Sequence, residues 1–118
     1  MKVDFILNGA VVATATLDGN ASAGDFALLL PLDLVLEDYE ATEKIAGLPR
    51  ALAIGGAPAA HRPVAGDLCF YAPWGNLAIF YKDGQLSDGL VRLGRLEPGW
   101  DPAWLFDDPA VRLVVAAP

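Results

Sequence analysis

The sequence holds a single cysteine, Cys69, and a single histidine, His61. One cysteine excludes an intrachain disulfide, and this pair cannot supply the usual ligands of a structural zinc site. Serine is almost as scarce. Ser22 and Ser87 are the whole supply, neither sits in a strand-to-helix nucleophile elbow, and a serine hydrolase triad is not expected. Basic residues are few: eight Lys and Arg against fifteen Asp and Glu give a formal net charge of −7 at pH 7. Such a surface repels phosphate backbones and anionic lipid head groups, so neither nucleic acid nor a membrane is an expected partner. No apolar run approaches the roughly 20 residues that cross a bilayer. Gly55-Gly56 is not followed by Lys-Ser or Lys-Thr and opens no helix, so no phosphate loop is present. Neither a metal nor another cofactor is expected.

What is there is a strongly apolar chain. Of its 118 residues 54% are hydrophobic and 19% charged, too few charges for a disordered segment and enough apolar surface for one core. We expect one soluble domain spanning residues 1–118. Met1-Lys2-Val3-Asp4-Phe5 enters alternating sequence directly, without a basic region leading into an apolar stretch, which reads as cytoplasmic.

The alternation defines the elements. Val3, Phe5 and Leu7 alternate up to Asn8-Gly9, a dipeptide that tolerates positive φ at both positions, and Val11 to Leu17 resumes the pattern, so these two strands form a hairpin. Ser22, three residues before Asp25, resembles a capping box, and Ala23, Phe26, Ala27 and Leu30 form the apolar stripe of a short helix over 20–30. Leu32, Leu34 and Leu36 open a third strand that runs out near Tyr39. Residues 40–50 read as irregular, with one helical turn stopped by Gly47 and Pro49. Residues 55–63 are a breaker-rich loop. Two β-like runs, 67–72 and 77–82, flank Pro73-Trp74-Gly75-Asn76, which suits a type I turn followed by a left-handed residue and carries Trp74 to a hairpin tip. Strands over 90–96 and 111–116 bracket a compact aromatic turn at 99–106. Seven or eight short strands with one or two short helices give a mainly β fold, a closed barrel.

Particular stretches carry a resemblance beyond this class. They are Leu30-Pro31-Leu32, Leu36-Glu37-Asp38-Tyr39, Thr42-Glu43-Lys44-Ile45, Leu48-Pro49-Arg50, Gly66-Asp67, the run from Tyr71 to Asp83, and Gly89-Leu90-Val91-Arg92-Leu93-Gly94-Arg95. Together the chain resembles a bacterial family of small stand-alone proteins with a cyclophilin-like fold, most of them uncharacterised. The resemblance implies a cyclophilin-like β-barrel closed by helices, and no assigned activity. Prolyl isomerases of this fold carry an arginine beside a phenylalanine on a strand, a Phe-x-x-Gln-Gly-Gly stretch, and later an aromatic and a histidine around the proline ring. Here Gly55-Gly56 lacks the preceding glutamine, Arg50 lies in Leu-Pro-Arg, and no histidine follows the aromatic segment. Without a donor aimed at the twisting amide and an apolar wall, most of the rate gain is lost.

The functional candidates are aromatic: Tyr39, Phe70, Tyr71, Trp74, Phe80 and Tyr81. Along 67–72 Leu68 and Phe70 share one face and Cys69 and Tyr71 the other; along 77–82 Leu77, Ile79 and Tyr81 oppose Ala78 and Phe80. Both faces are apolar, so one fills the barrel and the other is either covered or an open groove. Glu43 would bring a charge to that groove, or else form a structural ion pair with Arg50, Arg92 or Arg95, because an unpaired carboxylate in apolar surroundings is costly. Glu37, Asp38 and Glu40 read as a solvated acidic face, Asp107-Asp108 as a weak cation candidate, His61 as an exposed loop residue, and Cys69 as a buried hydrophobe. The leading reading is a non-enzymatic module that binds a small molecule or extended peptide through Tyr39, Glu43, Tyr71, Trp74, Phe80 and Arg92. The alternatives are a prolyl isomerase, a catalyst using Glu43 or His61, and a structural role in which Trp100, Trp104 and Phe106 bury against a second copy.

Overall fold

A computed structural model describes residues 1–107 and 109–117. Strands β1 (Lys2–Leu7) and β2 (Ala10–Leu17) form the expected hairpin, with Asn8 and Gly9 at φ 50° and 80° in the left-handed turn that their small, polar character allows. Helix α1 (Ala21–Ala27) is shorter than its apolar stripe suggested, and its cap is Asn20, whose side chain accepts the Ala23 N–H at 2.8 Å. Ser22 lies inside the helix and donates instead to the Ala53 carbonyl at 2.6 Å. Ala23 and Phe26 are fully buried and fix the helix to the barrel, where it packs against the strand over residues 90–96.

The single strand expected over 32–39 is two. β3 (Leu32–Val35) pairs with β11 (Ala110–Val115), and β4 (Glu37–Tyr39) turns to pair with β5 (Glu43–Gly47). β5 also corrects the irregular reading of 40–50. Glu40 and Ala41 both adopt positive φ, 55° and 49°, without the glycine or asparagine that usually marks such a turn. The Asp38 carboxylate holds the turn by accepting the Ala41 N–H.

The other strands are β6 (Ala60–His61), β7 (Asp67–Tyr71), β8 (Asn76–Phe80), β9 (Ser87–Asp88) and β10 (Leu90–Leu96), with a 3₁₀ turn at Pro102–Phe106. Nine strands form one sheet in the order β3-β11-β1-β2-β10-β7-β8-β5-β4, with antiparallel neighbours. Its outermost members, β3 and β4, are consecutive in the chain, so the sheet curls into a nearly closed barrel. The fold is mainly β, as expected. Described strands number eleven rather than seven or eight, because β4, β5, β6 and β9 are short or weakly patterned.

Val3, Phe5, Phe26, Leu68, Phe70, Leu77, Ile79, Leu93 and Leu113 fill the interior, each large side chain contributing about 1.5–3 kcal/mol of burial. Trp104 joins them at 5% exposure, its ring 5.5 Å from Phe5. Within this chain Trp104 is therefore part of its own core, and only Phe106 of the three aromatic residues considered for self-association stands well exposed. Among the described residues no helix is long and apolar enough to cross a membrane.

Candidate functional site

The barrel wall made by β5, β8, β7 and β10 carries apolar residues on its outer face as well as its inner one. Strand alternation sends Leu68, Phe70, Leu77 and Ile79 inward, and Cys69, Ala78, Phe80 and Leu90 form a second buried cluster on the outside, flanked by Ile45 and Tyr71. The small β6–β9 sheet and its flanking segments cover part of this outer face: Ala59, just before β6, accepts the Gly89 N–H beside β10, and Pro63, just after β6, accepts the Gly84 N–H. What the cover leaves open becomes two cavities separated by Leu90.

The smaller cavity, about 150 Å³, is lined by Tyr39, Glu43, Tyr71, Trp74, Phe80, Ser87 and Leu90. Register explains the convergence. Tyr39 pairs with Glu43 and Glu43 with Phe80, setting the three in a row across β4, β5 and β8, while Tyr71 pairs with Leu90 across β7 and β10. Trp74 arrives from the β7–β8 turn, where Gly75 adopts φ 69° and bonds back to Tyr71. Its ring meets Tyr39 and Tyr71 edge to face, with centroids 5.3 Å apart in both pairs. Five of the six residues singled out from the sequence thus surround one cavity. It adjoins, through the shared Tyr39, Glu43, Phe80 and Ser87, a trough of about 540 Å³ that adds Glu40, Thr42, Asp83, Gly84 and Gln85.

Arg92, the sixth, is elsewhere. It lies on the same outer face, opposite Cys69, but forms a bidentate pair with Asp18 at 2.8 and 3.2 Å and lines the larger cavity. The expected ion pair of Glu43 is likewise replaced. Arg50 is bidentate to Asp25, Arg92 to Asp18, and Arg95 bonds to Asp67, leaving half-buried Glu43 with no hydrogen-bond or ion-pair partner among the described residues. Burial without compensation pushes its carboxyl up to about 7. Glu37, Asp38 and Glu40 are exposed, as expected of an acidic face, although Asp38 is engaged by Tyr81, Lys44 and the Ala41 N–H.

The larger cavity, about 380 Å³, runs between Asp18, Asn20 and Ala21, the 55–58 loop, His61 and residues 90–92. Here the structure brings together residues that the sequence kept apart. His61 is not an exposed loop residue: it lies on β6, half-buried, with Nε2 2.9 Å from Oδ2 of the fully buried Asp67. Asp67 also accepts the Val64 N–H at 3.0 Å and Arg95 Nε at 3.1 Å. Donor atoms of His61, Asp67 and Cys69 lie within 4.8 Å of one another, the one such grouping among the described residues. Both Asp67 oxygens are already occupied, and burial raises the Cys69 thiol well above its ordinary value, so the trio is a closed network with a neutral thiol. The sequence offered His61 and Cys69 only as separate residues and Gly66-Asp67 only as part of the family resemblance. The other cation candidate, Asp107-Asp108, falls partly outside the described residues.

No curated protein matches the chain. The model of the cyclophilin-like family matches residues 6–113, nearly the whole barrel from β1 to β11, and so the protein whose outer wall carries these two cavities belongs to the cyclophilin-like family.

Proposed function

We propose that this protein is a binding module that takes a small molecule into the cavity bounded by Tyr39, Glu43, Tyr71, Trp74 and Phe80. The observation that carries this reading is the meeting of exposed rings with an unpartnered carboxyl. Trp74 is 55% and Tyr39 37% exposed, large apolar surface that a free-standing fold would gain by covering, and Glu43 stands beside them without a partner among the described residues. Convergent rings plus one polar group are the ordinary composition of a ligand site. A small molecule suits the 150 Å³ cavity better than a peptide does. An extended chain would instead run along the trough. Thermal stabilisation across a panel of metabolites and proline-containing peptides tests the reading: a ligand should raise the melting temperature of the wild type and leave Trp74→Ala unmoved. A panel with no stabilising ligand counts against it, and a peptide as the sole stabiliser would move the site into the trough.

A second reading has its own observation. His61, oriented by buried Asp67 at the edge of the 380 Å³ cavity, has the arrangement of a general base and its orienting carboxylate. Prolyl isomerisation has less support, because Arg50 is paired with Asp25 and lines neither cavity. In a protease-free isomerisation assay we expect the uncatalysed rate; an acceleration that disappears in His61→Gln would favour catalysis at the larger cavity.

A further inference from the structure

We propose that the ligand of the aromatic cavity is an organic cation, an alkylated ammonium group seated against Trp74, Tyr39 and Tyr71 with the Glu43 carboxylate as its counter-ion. The inference rests on the reading of this cavity as a binding site and adds the chemistry of its occupant.

The walls come first. Tyr39 and Tyr71 each meet Trp74 at interplanar angles of 83° and 82°, so the three rings form a corner rather than a flat stack. Ring faces carry negative quadrupole density, and a cation gains most where several converge. Charge comes second. Neither the cavity nor the adjoining trough is lined by a lysine or arginine, while Glu43 faces both and Glu40 and Asp83 line the trough. The neighbouring cation on β5, Lys44, pairs with Asp38 at 3.6 Å and stands 4.6 Å over Phe106, so it is already engaged. The only formal charges an anionic ligand would meet in this lining are acidic. A neutral apolar one would bury Glu43 further without a partner, at the cost that attends any uncompensated charge. A cation removes that cost and uses the rings as well. Size agrees: about 150 Å³ holds a head group, and the trough of about 540 Å³ takes the substituent attached to it.

The titratable groups around Glu43 are the Tyr39 phenol on β4, the Tyr71 phenol and Cys69 thiol on β7, the Tyr81 phenol just past β8, and Glu40 and Asp83 in the flanking turns. None supplies a positive charge. A cation bound beside Glu43 favours its ionised form, so binding releases a proton and tightens as the pH rises.

The experiment follows the Trp74 indole N–H resonance in ¹H–¹⁵N spectra of the full chain. The probes are tetramethylammonium, choline, and the neutral isostere 3,3-dimethylbutan-1-ol. We expect saturable shifts of Trp74 with the two cations and none with the alcohol. Choline binding should weaken about tenfold in Glu43→Gln, as loss of one desolvated charge contact implies, and strengthen about tenfold between roughly pH 5.5 and 8. In Trp74→Phe, which keeps a ring and so guards against a folding defect, choline should still protect against thermal unfolding. If the alcohol shifts Trp74 as strongly as choline, or Glu43→Gln binds choline unchanged, the cation assignment falls and the cavity stands as a binding site. If no cation shifts Trp74, the assignment is overturned, and the stabilisation panel judges the cavity separately.

Discussion

Glu43 and Lys44 are neighbours on β5 that point to opposite faces of the barrel wall, and they meet opposite fates. Lys44 is held by Asp38, which also accepts the Tyr81 hydroxyl, and its ammonium lies over Phe106, itself in edge contact with Tyr81 at 5.0 Å. The Asp38 contact and burial together push the Tyr81 phenol up to about 12, with burial the larger cause. Every charge and ring in that group has a partner. One residue earlier, Glu43 is half-buried among four rings and has none among the described residues. The comparison separates two uses of the same materials: a satisfied cluster stabilises the end of the barrel, and an unsatisfied one leaves free energy that a ligand can recover.

The contrast can be broken or sharpened by substitution. The largest effect belongs to the inner face: Phe70→Ala, at a position 1% exposed, should cost about 3–5 kcal/mol in denaturant unfolding. Next is Glu43→Gln, which should stabilise the protein. Below pH 4.5 the carboxyl is protonated in both folded and unfolded chains; between 4.5 and about 7 the unfolded chain ionises while the folded one resists. The wild type therefore loses stability as pH rises through this window, and the variant, which does not titrate, should lead by roughly 1–2 kcal/mol at pH 8 and by nothing at pH 4. A destabilised Glu43→Gln at pH 8 would mean that Glu43 has a partner after all. Asp38→Asn comes third. It weakens the acceptor for Tyr81, Lys44 and Ala41 and should cost about 1 kcal/mol, measured the same way. Trp74→Ala removes the largest ring of the four and should change stability least, by under about 0.5 kcal/mol, because the side chain is mostly exposed.

Much of this was legible where the physics is local. Asn8-Gly9 and Pro73-Trp74-Gly75-Asn76 encode their turns in backbone preferences, and strict alternation over 67–72 and 77–82 announced a wall apolar on both sides. Once those strands pair, Tyr71, Trp74 and Phe80 must share a face, and Tyr39 and Glu43 follow by register. What escaped notice depends on distant partners. β5 was hidden because Glu40-Ala41 makes a left-handed turn without a turn residue. Arg50, Arg92 and Arg95 could each have reached Glu43 in sequence terms; which acid each one meets is decided by the packing of α1, β2 and β10. The His61–Asp67 contact depends on a two-residue strand, β6, too short to leave a periodic signal.

The central claim is that the Glu43 carboxyl sits in an aromatic cavity, unpaired among the described residues, and site-resolved ¹³C NMR titration of that carboxyl measures it without any ligand. A midpoint near pH 7 is the expected result. A midpoint at or below the ordinary carboxylate value of 4.5 would show a charge already compensated by the protein, and would contradict it.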